Sequence, residues 1–306
     1  MPGWNNTGTP EKLTNENSHK YTALGAAFLA IILWAFAFPA SRAALAYFSV
    51  EQITLYRHVV ACLFYLGFFV AGRFSFPAKR DLKFILILGL LGITTYQMLF
   101  VFGMGKVQGG AAAMIITANP VVVALLARFF LSEKLSRTAW SGITLSMAGV
   151  AIISFFKGTD GEPIGYLALI IAAISISVYF TFQKPFFVSY SPLAMTSFTC
   201  FAGTLPMLVF LPGTVESVLA APLTPNLWIV AMGILSSGMG FYLWFFALSR
   251  LKAGVVTSFL FLQPLFVTAL SYFWLGEVPE HKTLLGGLVV LCGLGLILRA
   301  QIKDTG

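Results

Sequence analysis

Two amide–proline pairs, Asn119-Pro120 and Gln263-Pro264, stand 144 residues apart in strongly apolar surroundings. A proline inside a helix removes one backbone hydrogen bond and frees the carbonyl four residues earlier. The adjacent amide then either bonds local backbone or faces a cavity. Arg57 lies in another apolar run, where a charge is expensive and usually faces protein or water. Its alternative role is to snorkel to the surface beside Glu51. Trp34, Phe38, Tyr96, Tyr179 and Tyr242 add rings, three of them phenols and one an indole, to four further apolar runs. Rings with a few amide and hydroxyl groups suit reversible binding of an amphipathic solute. The expected binding set is therefore Trp34, Phe38, Arg57, Tyr96, Asn119, Tyr179, Tyr242 and Gln263. Pro39, Pro120 and Pro264 are the expected hinges.

No catalytic residues, metal ligands or cofactor are expected. The apolar runs carry no mid-run Asp or Glu to relay protons. A GxxxxGK[ST] phosphate loop is absent. His19, His58 and His281 are too dispersed for a multi-histidine metal site. Arg57 holds its proton across the useful pH range, so transport down the solute gradient with at most weak proton coupling is expected. Lys184, near the end of an apolar run, reads as a snorkelling or gating residue. Glu133 and Glu277 read as packing or capping groups at helix ends. Cys62, Cys200 and Cys292 show no CxxC spacing and read as buried free thiols.

These residues need helices to hold them, and the composition says in what solvent. The chain of 306 residues is 58% hydrophobic and 10% charged. About a quarter of a soluble domain is charged, so the bilayer is the expected solvent. The formal charge of +8 does not point to nucleic acid, because the basic residues sit in short loops. Spanning helices of about 20 apolar residues are predicted at 22–41, 52–72, 84–103, 109–131, 138–156, 164–184, 192–211, 226–247, 254–275 and 283–299. The fold class is thus all-α integral membrane. Residues 1–21 and 300–306 are predicted tails, the first without structure. With the N-terminus inside, 13 Lys and Arg residues fall inside, 4 fall outside, and Arg57 and Lys184 lie within spans. That asymmetry predicts both termini in the cytoplasm, the membrane being a bacterial inner membrane.

The chain also repeats itself. Lys106–Ile153 aligns with Arg250–Ile297. Pro120 falls on Pro264, Phe129 on Phe273, Glu133 on Glu277, Gly142 on Gly286 and Gly149 on Gly293. Two repeats, 22–157 and 163–299, each with an odd five spans, must cross the membrane in opposite senses. Such inverted repeats are a route to alternating access.

The Asn119-Pro120 to Glu133 stretch with Gly142 and Gly149, and its counterpart from Gln263-Pro264 to Glu277 with Gly286 and Gly293, resemble the paired EamA domains of the drug/metabolite transporter superfamily. Leu33-Trp34 through Pro39 and Arg42 resembles the opening helix of that domain. Arg57 sits where the family often has an Arg in its second helix. Gly238, Gly240, Tyr242, Trp244, Ala247 and Leu248 resemble its eighth helix. The resemblance implies ten helices, both ends inside, and export of amino acids or other metabolites, without fixing the cargo.

The function expected is a secondary transporter that exports small metabolites through a central cavity, with amphipathic solutes such as amino acids as cargo. Its partners are then a small-molecule solute and membrane lipid. A lipid-modifying membrane enzyme would need a nucleophile, an acid/base pair or a metal cluster near an interface, and the sequence offers none. A channel is the remaining alternative.

Overall fold

The computed structural model describes residues 10–104, 106–107, 115–155, 162–275 and 281–303. Gly110, Lys157 and Glu277 lie outside the described residues, as do the side chains of Phe38 and Arg42. The described chain is helical throughout. Helix α1 (Pro10–Ala44) is followed by α2 (Val50–Val70), α3 (Lys79–Gly103) and α4 (Ile115–Phe130). Next come α5 (Arg137–Phe155), α6 (Pro163–Val188), α7 (Pro192–Ala220) and α8 (Leu223–Leu248). The chain closes with α9 (Ala253–Leu270), helical on to Leu275, and α10 (His281–Lys303).

Seven helical stretches, in α1, α2, α3, α6, α7, α8 and α9, are long and apolar enough to cross a membrane. The apolar parts of α4 and α10, Ile115–Phe130 and Leu284–Ala300, are shorter than a typical span. Two expectations are corrected. Residues 10–21 are not an unstructured tail but the first turns of α1. Helix α7 runs to Ala220, beyond the predicted end at 211, because Pro206 and Pro212 sit at 3-10 and helix-start positions where a missing N–H costs little.

Local chemistry sets the helix ends. Ser49 and Gln52 form a reciprocal capping box on α2. Pro163 and Pro192 occupy first-turn positions, and Ser191 caps the latter helix through the N–H of Ala194. Gly72 ends α2 with φ +68.

Two helices contain π turns. Leu90–Thr95 in α3 and Met232–Gly240 in α8 are π-helical. A π turn leaves carbonyls without their usual i+4 donors, and neighbouring side chains supply donors. The Ser175 hydroxyl donates to Leu91 O at 2.9 Å. The Trp34 indole donates to Ser236 O at 3.1 Å, and the Tyr65 hydroxyl to Gly238 O at 2.7 Å. The irregular turns thereby become docking points for α6, α1 and α2.

The bundle is assembled from reciprocal pairs. Helix α3 packs on α6 and α7, while α8 packs on α1 and α2. Helix α4 packs on α6 and α9, and α9 on α1. The most extensive contact is between α5 and α10. There Gly142 faces Gly293 and Gly149 faces Gly286, so the two helices run antiparallel. A methyl group at Gly142 would sit 2.5 Å from Gly293 O, and one at Gly149 2.7 Å from Gly286 O. Small residues are what let membrane helices approach this closely. Between the glycine contacts, Ser146 donates to Val290 O at 3.3 Å.

Candidate functional site

The π turn of α8 gathers the central residues. Trp34 is 9% exposed. Besides its bond to Ser236 O, its ring lies nearly parallel to Phe180, 6.3 Å away, and touches Phe241 and Trp244 at 5.1 and 4.9 Å. One residue beyond Ser236, the Ser237 hydroxyl pairs with Arg57 Nε at 2.9 Å. Tyr96, which ends the π turn of α3 and stacks on Phe100, lies within electrostatic reach of Arg57. Trp34 and Arg57 thus meet on adjacent residues of α8. Arg57 does not pair with Glu51, whose carboxylate accepts the Ser49 hydroxyl instead.

A second layer joins α4, α6 and α7. Asn119 is buried and its side-chain oxygen accepts from Ser177 at 3.2 Å. The Tyr179 hydroxyl is bonded to Thr199 at 2.9 Å, and its ring packs edge-on to Phe245. Tyr179 also touches Phe180, which links this layer to Trp34.

Both amide–proline pairs break a helix. The chain turns at Ala118, and helix resumes at Asn119 with Pro120 in its first turn. Phe259–Leu262 is 3-10, and α geometry resumes at Gln263 with Pro264 next. Each proline therefore sits where its absent N–H is an orphan anyway. Pro39 differs, being buried within continuous α1.

Two predicted residues stand apart. The ring neighbour of Tyr242 is Phe246 on its own helix, so it is not part of the Trp34 cluster. Gln263 is half-buried without a hydrogen-bond partner among the described residues. A cleft lies away from the centre. An opening of about 630 Å³ lies between α2, α3 and α7, lined by Glu51, Gln52, Met98, Phe102, Phe210 and Gly213 among others. It contains none of the predicted site residues; Trp34, Arg57, Asn119 and Tyr179 pack between the helices of the bundle instead. The geometry of those packed residues, rather than the cleft, defines the candidate site.

The opposite end is closed by an interlock. Ser132 adopts φ 57, and the chain there turns Glu133 towards α9. The Glu133 carboxylate pairs with Lys184 and accepts the Ala253 N–H at 2.7 Å, at the start of α9. Lys184 also donates to Leu251 O at 2.5 Å. A carboxylate at a helix N-terminus is favoured by the macrodipole, so one small network ties the ends of α4, α6 and α9.

Several residues here were not anticipated. Ser236 and Ser237 belong to the run Ser236-Ser237-Gly238-Met239-Gly240, whose small residues signal close backbone approach. His58 is fully buried in α2, with Nδ1 bonded to Thr54 O at 2.7 Å and Nε2 unpartnered. Cys62 and Cys200 face one another, Sγ to Sγ 3.8 Å, whereas Cys292 is exposed rather than buried because its face of α10 is not packed.

Comparison with known proteins places this geometry. A relative named an uncharacterized transporter, YdfC, from Bacillus subtilis is 34% identical over 267 residues, 87% of either chain. A probable terminal-alkyne amino-acid exporter from Streptantibioticus cattleyicolor is 32% identical over 92% of this chain and 94% of its own. A solved crystal structure superposes with TM-score 0.77 over 94% of this chain and all of its own, at 17% identity, a likeness of fold alone. The model of the EamA-like transporter family matches residues 22–155 and again 163–299. This multi-pass membrane protein belongs to the EamA-like transporter family.

Proposed function

We propose that the chain is a secondary carrier, neither enzyme nor channel, that exports small amphipathic metabolites, amino acids among them, by alternating access. It sits in the plasma membrane with both termini in the cytoplasm. Its ten spans form two inverted five-helix repeats, 22–157 and 163–299, with Trp34, Arg57, Tyr96, Asn119, Tyr179, Tyr242 and Gln263 lining the path when it opens. Pro39, Pro120 and Pro264 serve as hinges.

The observation that carries the reading is the exchange symmetry of the helix contacts. Each helix corresponds to the one five places on. Under that exchange the α3–α6 and α3–α7 contacts become α8–α1 and α8–α2, and α1–α9 becomes α6–α4. The α5–α10 and α4–α9 pairs map onto themselves. Leu90 and Thr95, the limits of one π turn, have counterparts 144 residues on within the other. Gly142 opposes the counterpart of Gly149, and Ser146 bonds its own counterpart, Val290. Inversion lets each half adopt the shape of the other, which is a physical basis for alternating access. The cleft at the Glu51 end and the interlock at the Glu133 end fit a carrier closed towards one side. The solute class draws support from the amino-acid exporter among its relatives.

Counterflow in proteoliposomes tests the transport reading. Preloading with unlabelled L-norleucine should produce transient accumulation of labelled L-norleucine that saturates with concentration. Flux rising linearly without counterflow would favour a channel and refute a carrier. Orientation is tested by single cysteines at positions 79 and 106 in a cysteine-free background. An impermeant maleimide should label 106 and not 79 from outside intact cells, and the reverse would invert the topology.

A further inference from the structure

We propose that Arg57 is the seat of a carboxylate: solutes are taken up by their anionic end, which docks on the guanidinium in the bundle centre. This rests on the carrier reading and names the chemistry of its cargo.

Arg57 lies within a helix long and apolar enough to span the membrane. Among the described residues no carboxylate comes within ion-pair distance of it. The nearest acid on its helix, Glu51, is occupied by Ser49. Of the guanidinium nitrogens, the Nε takes the Ser237 hydroxyl as its partner. That single bond fixes the plane of the fork and leaves both terminal nitrogens, with four N–H groups, for a ligand. A cation held in low dielectric without a counter-ion is costly. A guanidinium with paired N–H groups matches the two oxygens of a carboxylate.

The surroundings narrow the class. Lys184, a cation at the end of another apolar stretch, is already paired with Glu133. A doubly charged phosphate would thus find one positive charge at Arg57 where it needs two, whereas a carboxylate is matched. The Trp34 cluster, which docks one residue away on the same π turn, makes the surroundings aromatic and apolar, as a solute with an apolar chain requires. Ser236 Oγ, one residue from the anchor, is buried and without a partner. It is an available polar contact for a second group of the solute, such as an ammonium. Free monocarboxylates and amino acids share the docking chemistry, and the experiment separates them.

The test is equilibrium binding to the purified full-length protein in nanodiscs, read by intrinsic tryptophan fluorescence and by the shift of thermal midpoint. The probes are hexanoate, L-norleucine, L-norleucinamide and hexanamide. At least one acid should bind while its amide does not. Arg57→Gln should weaken that acid about tenfold or more, as expected for loss of a charge-assisted pair. Arg57→Lys should recover part of it, and Ser237→Ala should weaken binding less than Arg57→Gln. The ligand-free thermal midpoint of each variant reports whether it folds. Should Arg57→Gln fail to fold, the acid–amide comparison on the native protein and Arg57→Lys carry the test. Equal binding of an acid and its amide, unchanged acid binding by a folded Arg57→Gln, or no binding by either acid would each overturn the assignment. Binding of hexanoate but not L-norleucine, lost in Arg57→Gln, would sustain Arg57 and sink the amino-acid reading. Norleucine counterflow that persists in Arg57→Gln would do the reverse.

Discussion

The bundle centre and the α5–α10 pair solve the same problem, holding helices together in apolar surroundings, by different means. At α5–α10, backbones touch at glycines, and among the described residues the polar side-chain bond between the helices is Ser146 to Val290 O. In the centre, helices meet through side chains that reach into π turns: Trp34 to Ser236 O, Tyr65 to Gly238 O, Arg57 to Ser237 and Ser175 to Leu91 O. Close-packed backbone has no alternative arrangement of similar energy and resists sliding. Side-chain bonds to spare carbonyls are exchanged one at a time for others. The first contact suits a fixed pivot, the second a part that rearranges, and the contrast can be broken or sharpened by substitution.

The largest effect is expected from Gly142→Leu. Overpacking a close interface costs about 1–3 kcal/mol, and the obstructing atom here is backbone, which cannot swing aside. Loss of monodisperse protein on size exclusion, or a strongly lowered thermal midpoint, is expected. A variant as stable as the parent would remove the pivot from the comparison.

Lys184→Met comes next. It leaves Glu133, 14% exposed, with an N–H partner and no cation. Breaking one partner of a buried pair costs about 3–5 kcal/mol, with a smaller loss expected at this partial exposure. The double variant with Glu133→Gln should regain much of the thermal midpoint, since the stranded charge is gone. A double variant no better than Lys184→Met alone would show that the pair does not couple.

Trp34→Phe isolates a central bond. Trp34→Ala would also strip packing from three neighbouring rings, so abundance would fall along with transport. The Phe variant keeps one six-membered ring and loses the N–H to Ser236 O together with the five-membered part of the indole. A stability change of about 1–3 kcal/mol with a several-fold fall in transport is expected. Thermal shift and counterflow on one preparation would measure both. Unchanged transport would demote the α8 docking to scaffolding.

The smallest effect is expected from His58→Gln. Among the described residues, His58 Nδ1 donates one local bond, to Thr54 O within its own helix. Uptake should change less than about twofold and stay insensitive to an imposed pH gradient at fixed membrane potential. Accumulation driven by the pH gradient in the parent and lost in the variant would make His58 a proton carrier and end the reading of export down the solute gradient.

Much of the membrane class was legible in the sequence because composition and run length respond directly to the bilayer. Asn119-Pro120 and Gln263-Pro264 were legible as irregular points, since proline acts on the backbone wherever it stands, but as mid-helix kinks rather than the resumed helix starts observed. The π turns were not legible. Met232–Gly240 reads as an ordinary small-residue helix, since a π turn depends on which neighbours fill the freed carbonyls. Trp34 and Arg57 were identified one by one, but their meeting through Ser236 and Ser237 is tertiary. Tyr242 was grouped with them on chemical type, and residue type does not say which way a helix face turns.

A π turn is an α-helix holding one residue more than its hydrogen-bond ladder accommodates. Deleting a single residue from Met232–Gly240 would restore the ladder and change neither the apolar character of α8 nor its ability to cross a bilayer. The extra residue is absorbed within the wide turn, so Phe241–Leu248 would keep the faces they now present, Trp244 and Phe245 included. What would go are the spare carbonyls of Ser236 and Gly238 on which Trp34 and Tyr65 dock. In this fold, one codon lost from the eighth helix would unfasten two of its neighbours without re-aiming the wall of the pathway.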